Sequence, residues 1–211
     1  MPHRTRNRGE AAMSRQRRRR TLPAVLPAAA LLLAGAGAAI AHHGGADAHP
    51  PAAASAYTPG PQNIELPPDW EARFIRYATV DKPDRKIIRH LYANPEALAA
   101  ARPGQPLPDG TVIVMADTRA RLGAEGNPLL DQGGRLIPQP GWVAIAVQEK
   151  RPGWGKGYGP EKRNGTWEYA RFNGDGSRNN TSVEACFTCH LQTRASQDFA
   201  FNFWDYVQAR K

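Results

Sequence analysis

Apolar positions along this chain fall mostly into short runs punctuated by glycine and proline, with one long exception at the start. Residues 22–41 form a continuous Ala/Leu-rich stretch. Residues 42–61 then mix Ala, Gly, Pro and His without periodicity, which predicts a disordered linker. The pattern tightens from Pro67. Pro67-Pro68-Asp69 precedes Trp70, Phe74 and Tyr77, whose spacing of four and three predicts the apolar stripe of a short packing helix. Residues 86–93 (Lys-Ile-Ile-Arg-His-Leu-Tyr-Ala) are β-branched and aromatic enough for a strand. Asn94 stands where it would cap a helix that begins at Pro95 and runs to about Arg102.

The second half reads as further strands and turns. Pro108-Asp109-Gly110 is a turn, residues 111–116 (Thr-Val-Ile-Val-Met-Ala) an apolar strand, and residues 142–147 another, after a Gly/Pro-rich loop over 123–141. Residues 152–160 carry too much glycine for a regular element, and they lack the G-x-x-x-x-G-K-[ST] spacing of a phosphate-binding loop. Residues 166–172 alternate with period two, predicting a half-buried strand closed by the turn Asn173-Gly174-Asp175-Gly176. Thr181 and Glu184 have the spacing of a capping box, which places a helix start just beyond. Phe199, Phe201, Phe203, Trp204 and Tyr206 end the chain as a dense aromatic group, expected to pack mainly on the sheet.

Cys186-Phe187-Thr188-Cys189-His190 follows that helix start. On a helical turn the cysteines are three apart and His190 is four from Cys186, so all three share one face. This is the attachment pattern of a c-type haem, in which each thiol adds to a haem vinyl group and His190 sits beneath the iron as proximal ligand. Other chemistries fit less well. A zinc site needs four ligands and, with no further cysteine, would have to recruit His90 or the tail residues His42, His43 and His49. A redox dithiol belongs with a βαβ pattern and has no use for the trailing His. His90 itself lies within the strand of residues 86–93, where a packed histidine is the commoner case.

Residues 1–20 hold eight arginines against one acid, Glu10. With the apolar stretch behind them and Ala39-Ile40-Ala41 as an A-x-A site, they predict a cleaved signal peptide over residues 1–41, started at Met1 or Met13. An uncleaved membrane anchor is the rival, opposed by Pro23, Pro27, Gly35 and Gly37. Adjacent arginines also admit a twin-arginine signal, whereas covalent haem attachment after export suits the general secretory route. The expected location is the periplasm. The leader also accounts for the formal charge of +9, because it holds eight of the 28 basic residues and one of the 19 acidic ones. The remainder has 20 against 18, a balance near +2 that haem propionates would cancel, so composition gives no support to a nucleic-acid partner. Residues 42–65 are then a flexible linker and 66–211 a single haem-binding domain.

The position of the motif narrows the class. Only 21 residues follow His190 and none is Met, unlike the small electron carriers, and four long helices of the c-prime type cannot be drawn through residues 111–172. From Trp70 to Tyr206 the chain resembles the cytochrome P-460 family, which includes the cytochromes c-prime-beta. The likeness rests on Ile88-Arg89-His90-Leu91-Tyr92-Ala93-Asn94-Pro95-Glu96-Ala97, Pro108-Asp109-Gly110-Thr111-Val112-Ile113-Val114, Asn164-Gly165-Thr166-Trp167-Glu168-Tyr169 and the terminal haem motif, in that order. It implies an α+β fold with a mainly antiparallel sheet, packed helices and a C-terminal haem-attachment helix. It also implies a homodimer and one covalent haem c with His190 on one side of the iron and an open or exchangeable site on the other.

Members of that family divide at the open side. Some carry a lysine cross-linked to the haem and oxidise hydroxylamine; others lack it, cap the iron with apolar rings and bind nitric oxide or similar gases. The cross-linking position matches Val114-Met115-Ala116 here, where no lysine stands, which leaves Lys86, Lys150 and Lys156 as the lysines to locate. Asp175 is a distal carboxylate candidate by proximity in sequence alone. Met115, the only methionine outside the leader, is either a distal iron ligand or pocket residue, or a core side chain. Two readings follow: a periplasmic haem protein that binds a small gas or passes electrons to a redox partner protein, and a haem oxidoreductase acting on hydroxylamine, nitric oxide or peroxide.

Overall fold

The computed structural model describes residues 57–210. The expected leader, His42, His43, His49 and the first part of the expected linker lie outside these residues. Six strands form one antiparallel sheet in simple chain order: β1 (Ile75–Lys82), β2 (Ile87–Ala93), β3 (Val112–Arg119), β4 (Ala144–Lys150), β5 (Trp167–Asn173) and β6 (Arg178–Asn179). Four helices accompany them, α1 (Trp70–Arg73), α2 (Pro95–Ala100), α3 (Glu184–Arg194) and α4 (Phe203–Ala209). This is the expected α+β class, with the Cys-x-x-Cys-His motif on the C-terminal helix α3.

Successive side chains in each strand point to opposite faces, so the sheet has two separate apolar layers. On one face Leu91, Ile113 and Tyr169 are covered by Phe187 of α3 and Phe203 of α4. On the other, Tyr92, Val114, Val147 and Phe172 pack against Ile64 and Trp70. Each such side chain buried stabilises the fold by roughly 1.5–3 kcal/mol, so the two layers hold the sheet from both sides. β5 is therefore buried on both faces from Trp167 to Ala170, where period-two alternation predicted a half-buried strand.

Several local expectations are corrected. The helix expected through Trp70, Phe74 and Tyr77 stops at Arg73. Phe74 is already extended, and Tyr77 belongs to β1. A bulge between Arg76 and Ala78 sets Tyr77 against Phe203, with ring centroids 5.5 Å apart, while Trp70 and Phe74 pack on the opposite face of the sheet, so the three aromatics form no single stripe. Asn94 precedes α2 without capping it. Its Oδ1 accepts from the Val112 amide at 2.9 Å and its Nδ2 donates to the Gly110 carbonyl at 3.2 Å, which fastens α2 to the start of β3. No capping box forms either, because α3 begins at Glu184 itself and the Thr181 hydroxyl donates to Asn179. The stretch from Tyr57 to Glu65, expected as the end of the linker, is packed: Ile64 is fully buried and the Tyr57 hydroxyl reaches Glu168.

Candidate functional site

Helix α3 delivers both cysteines and His190 to one cavity of about 320 Å³ between itself and the sheet. That volume lies within the range of small-molecule and cofactor sites. The sheet wall is built from β1, β2, β3 and β4 by Val80, Leu91, Ile113, Met115 and Ala146. These positions alternate along their strands, and the register sets them side by side: Met115 lies between Leu91 and Ala146, and Val80 beside Arg89. Phe201, just before α4, closes the cavity beside His190, with their rings edge to face at 4.8 Å.

His190 is held in one tautomer. Its Nδ1 lies 2.6 Å from the Phe199 carbonyl oxygen, and because a carbonyl can only accept, Nδ1 must carry the proton. The lone pair is then on Nε2, and the ring lines the cavity. Burial pushes the imidazole below its ordinary pKa, more than the Phe199 bond raises it, so the ring is neutral and able to ligate a metal. Both cysteines are free, and burial pushes the Cys186 thiol up, which keeps it protonated. Two free thiols and a neutral imidazole on one helical face of an apolar cavity are the donor set that a c-type haem uses.

The residues around Phe199 explain how its carbonyl is placed. Asp198, Phe199 and Asn202 have positive φ values of 49°, 61° and 57°, which non-glycine residues adopt at a cost. Asp198 is anchored by the Leu107 amide at 2.8 Å and by Lys150 Nζ at 2.6 Å, an ion pair largely out of solvent. Gln148 Nε2 donates to the same Phe199 carbonyl at 2.9 Å, so one oxygen receives both His190 and Gln148.

Other sequence candidates are placed as follows. Met115 does line the cavity and is half-buried. His90 does not: it lies on the opposite face of the sheet, bonded to Thr79 Oγ1 at 3.2 Å and edge to face with Trp142. Lys86 is exposed and donates to the Gly126 carbonyl, Lys150 is committed to Asp198, and Lys156 is exposed in the glycine-rich loop. Asp175 is an exposed turn residue bonded to Ser177 and takes no part in the cavity. Sequence reasoning missed Lys82, Arg89 and Gln148, all of which line the cavity. Arg89 is bidentate to Asp117, with both bonds at 2.8 Å. Strand parity was the signal that could have found them, since residues paired two by two with Leu91 and Met115 share their face.

No curated protein matches the chain. The profile of the family described as Cytochrome P460 matches residues 67–202, which contain all six strands, the cavity wall and the haem motif. The chain therefore belongs to the cytochrome P460 family of haem-binding cytochromes.

Proposed function

We propose that this protein is an exported mono-haem c-type cytochrome that takes its haem covalently through Cys186 and Cys189, with His190 as the proximal iron ligand. The observation that carries the reading is the fixed His190 tautomer, protonated at Nδ1, in a ring that lines the same cavity as both free cysteines. The haem would supply an iron that binds small ligands and exchanges single electrons. The protein's own contribution is to orient His190, to exclude water behind Phe201 and Tyr169, and to offer an apolar sheet wall of Leu91, Ile113 and Met115 to whatever approaches. Such a wall favours uncharged diatomic ligands such as nitric oxide over ions, and reversible ligand binding or electron transfer to a partner in the periplasm follows as the preferred activity.

The alternative is an oxidoreductase acting on hydroxylamine, nitric oxide or peroxide at the same cavity. It draws support from Lys82, a lysine that lines the cavity from β1. The test of the main reading is haem staining after denaturing electrophoresis. Replacing both cysteines, Cys186→Ala with Cys189→Ala, should abolish the stain, and stain that survives would overturn covalent attachment. The reduced visible spectrum then separates the alternatives, because a strongly red-shifted ferrous Soret band marks a lysine cross-link and a high-spin five-coordinate spectrum marks the ligand-binding protein.

A further inference from the structure

We infer that Tyr158 and Glu168 form a proton-coupled electron relay, linked to the haem through Tyr169 and Phe187 and opening at the surface in the glycine-rich loop. The inference rests on the haem reading above. Starting at His190, aromatic rings follow one another in close contact: Tyr169 at 4.9 Å, Phe187 at 4.7 Å from Tyr169, and Tyr158 at 4.7 Å from Phe187, all between ring centroids. Tyr169 and Phe187 are buried, whereas Tyr158 is only half-buried. The row thus connects the iron ligand to the outside of the protein.

The far end of the row has a proton acceptor. Glu168 is fully buried, and its Oε2 accepts the Tyr158 hydroxyl at 2.7 Å. Its Oε1 accepts the Tyr57 hydroxyl and the Gly60 amide. Both oxygens accept hydrogen bonds, as those of an ionised carboxylate do, and none of the ion pairs among the described residues includes Glu168. The cation near it, Lys162, lies 5.2 Å from the Tyr158 and Phe187 rings and is paired with Glu184. A buried carboxylate with no cation bonded to it directly is an expensive way to fasten two tyrosines, since a neutral acceptor would do so without burying a charge. Burial raises the carboxylate's affinity for a proton, as a proton acceptor requires. β6 pairs only with Arg171 and Phe172, which leaves the β5 edge at Glu168 open for the glycine-rich loop to bring Tyr158 across it.

The two tyrosines of the row differ in the respect that matters. The Tyr169 hydroxyl hydrogen-bonds only to Asn164 Nδ2, a donor, among the described residues, so it has nowhere to send its proton. Tyr158 has Glu168. An electron withdrawn along the row is therefore supplied in the end by Tyr158, where loss of the electron and loss of the proton go together.

The step balances with a peroxide as oxidant. Reduction of hydrogen peroxide to two waters breaks its O–O bond and takes two electrons and two solvent protons. One of these electrons would come from ferrous haem iron held by His190, which would be oxidised to ferric. Tyr158 supplies the other, its O–H bond breaks and the proton passes to Glu168 Oε2. A one-electron donor at the surface then restores Tyr158, and Glu168 returns the proton.

The test uses the haem-loaded full chain, reduced, mixed with hydrogen peroxide and frozen for electron paramagnetic resonance. A tyrosyl radical is expected in the unaltered protein and none in Tyr158→Phe, which keeps the ring stack. Glu168→Gln, which cannot take the proton, is expected to slow radical formation about a hundredfold. A second arm oxidises the haem-free protein with photogenerated ruthenium(III) tris-bipyridine and follows the same radical, with the same order among the variants. That arm reports on the Tyr158–Glu168 pair even where haem staining has failed, so the two readings fail separately. A radical of equal yield in Tyr158→Phe, or of unchanged rate in a Glu168→Gln protein whose circular dichroism matches the original, would overturn the relay. If Glu168→Gln does not fold, a rate in Tyr158-intact protein that is unaltered in heavy water overturns it equally.

Discussion

The two walls of the cavity are built on opposite principles. On the His190 side the polar atoms around Phe199 are committed. The Phe199 carbonyl takes two donors, Asp198 takes an amide and an ammonium, and three non-glycine residues are held at positive φ. Backbone strain of this kind costs on the order of 1–3 kcal/mol per residue and persists only where surrounding contacts over-determine it. On the sheet side the cavity is lined by strand residues, the apolar Val80, Leu91, Ile113, Met115 and Ala146 together with Lys82, Arg89 and Gln148, of which Arg89 is paired with Asp117. The contrast teaches where each task resides. The wall that holds one nitrogen in place is rigid and costly, while the facing wall is mostly apolar and carries side chains that can change without unmaking the fixed His190 geometry.

The largest expected effect breaks the rigid wall. Asp198→Ala strands Lys150, whose side chain is only 9% exposed, and removes the acceptor of the Leu107 amide. Leaving one member of a buried pair unpartnered typically destabilises by about 3–5 kcal/mol, so the urea midpoint should fall steeply. Haem-loaded protein should also lose the fixed His190 geometry, read as a shift of the midpoint potential. A loss of stability under about 1 kcal/mol, the range of an exposed ion pair, would show that the ion pair does not hold the loop.

How much of this was legible in the sequence follows the same division. The motif, β2, β3 and the helix after Asn94 could be read because their signals are local: spacing of three and four, β-branched runs, and Pro at the first helical position. The rigid wall could not. Asp198 and Lys150 are 48 residues apart, and Gln148 and Phe199 are 51 apart, so only the closed sheet brings them together. Polar residues inside strands, such as Gln148 and Glu168, look like surface positions until both faces are known to be covered. The false helix through Tyr77 has the same origin, because Trp70 and Phe74 pack on one face of the sheet and Tyr77 on the other, which spacing along the chain does not reveal. The capping box failed because Asn179 competes for Thr181.

A second, smaller effect separates the His190 wall from the back of the sheet by pH. Burial holds both His190 and His90 below the ordinary imidazole value. The folded chain then binds protons less readily than the unfolded one, so stability that is complete above the ordinary value of about 6.5 is lost as pH falls below it. Urea midpoints of haem-free protein should decline through that window. His90→Gln removes only the contribution from the back of the sheet, leaving a shallower decline that belongs to His190. A flat profile in the unaltered protein would contradict the assignment of both rings as buried and neutral.

The smallest effects are expected on the sheet wall, and they decide what that wall does. Met115→Leu conserves volume at a half-buried position, so stability should change by less than about 1.5 kcal/mol. If Met115 is part of the apolar wall, the reduced spectrum of the haem-loaded protein stays as it was. Conversion from low spin to high spin would instead make its sulfur the sixth ligand. Lys82→Met is the companion experiment. Lys82 forms no ion pair among the described residues and is half-exposed, so its removal should move stability by no more than about 0.5 kcal/mol. The apolar-wall reading requires the Soret band to keep its position in this variant. A band that moves to shorter wavelength when Lys82 is lost would place that lysine on the haem edge, and the plain wall would then carry a reactive group after all.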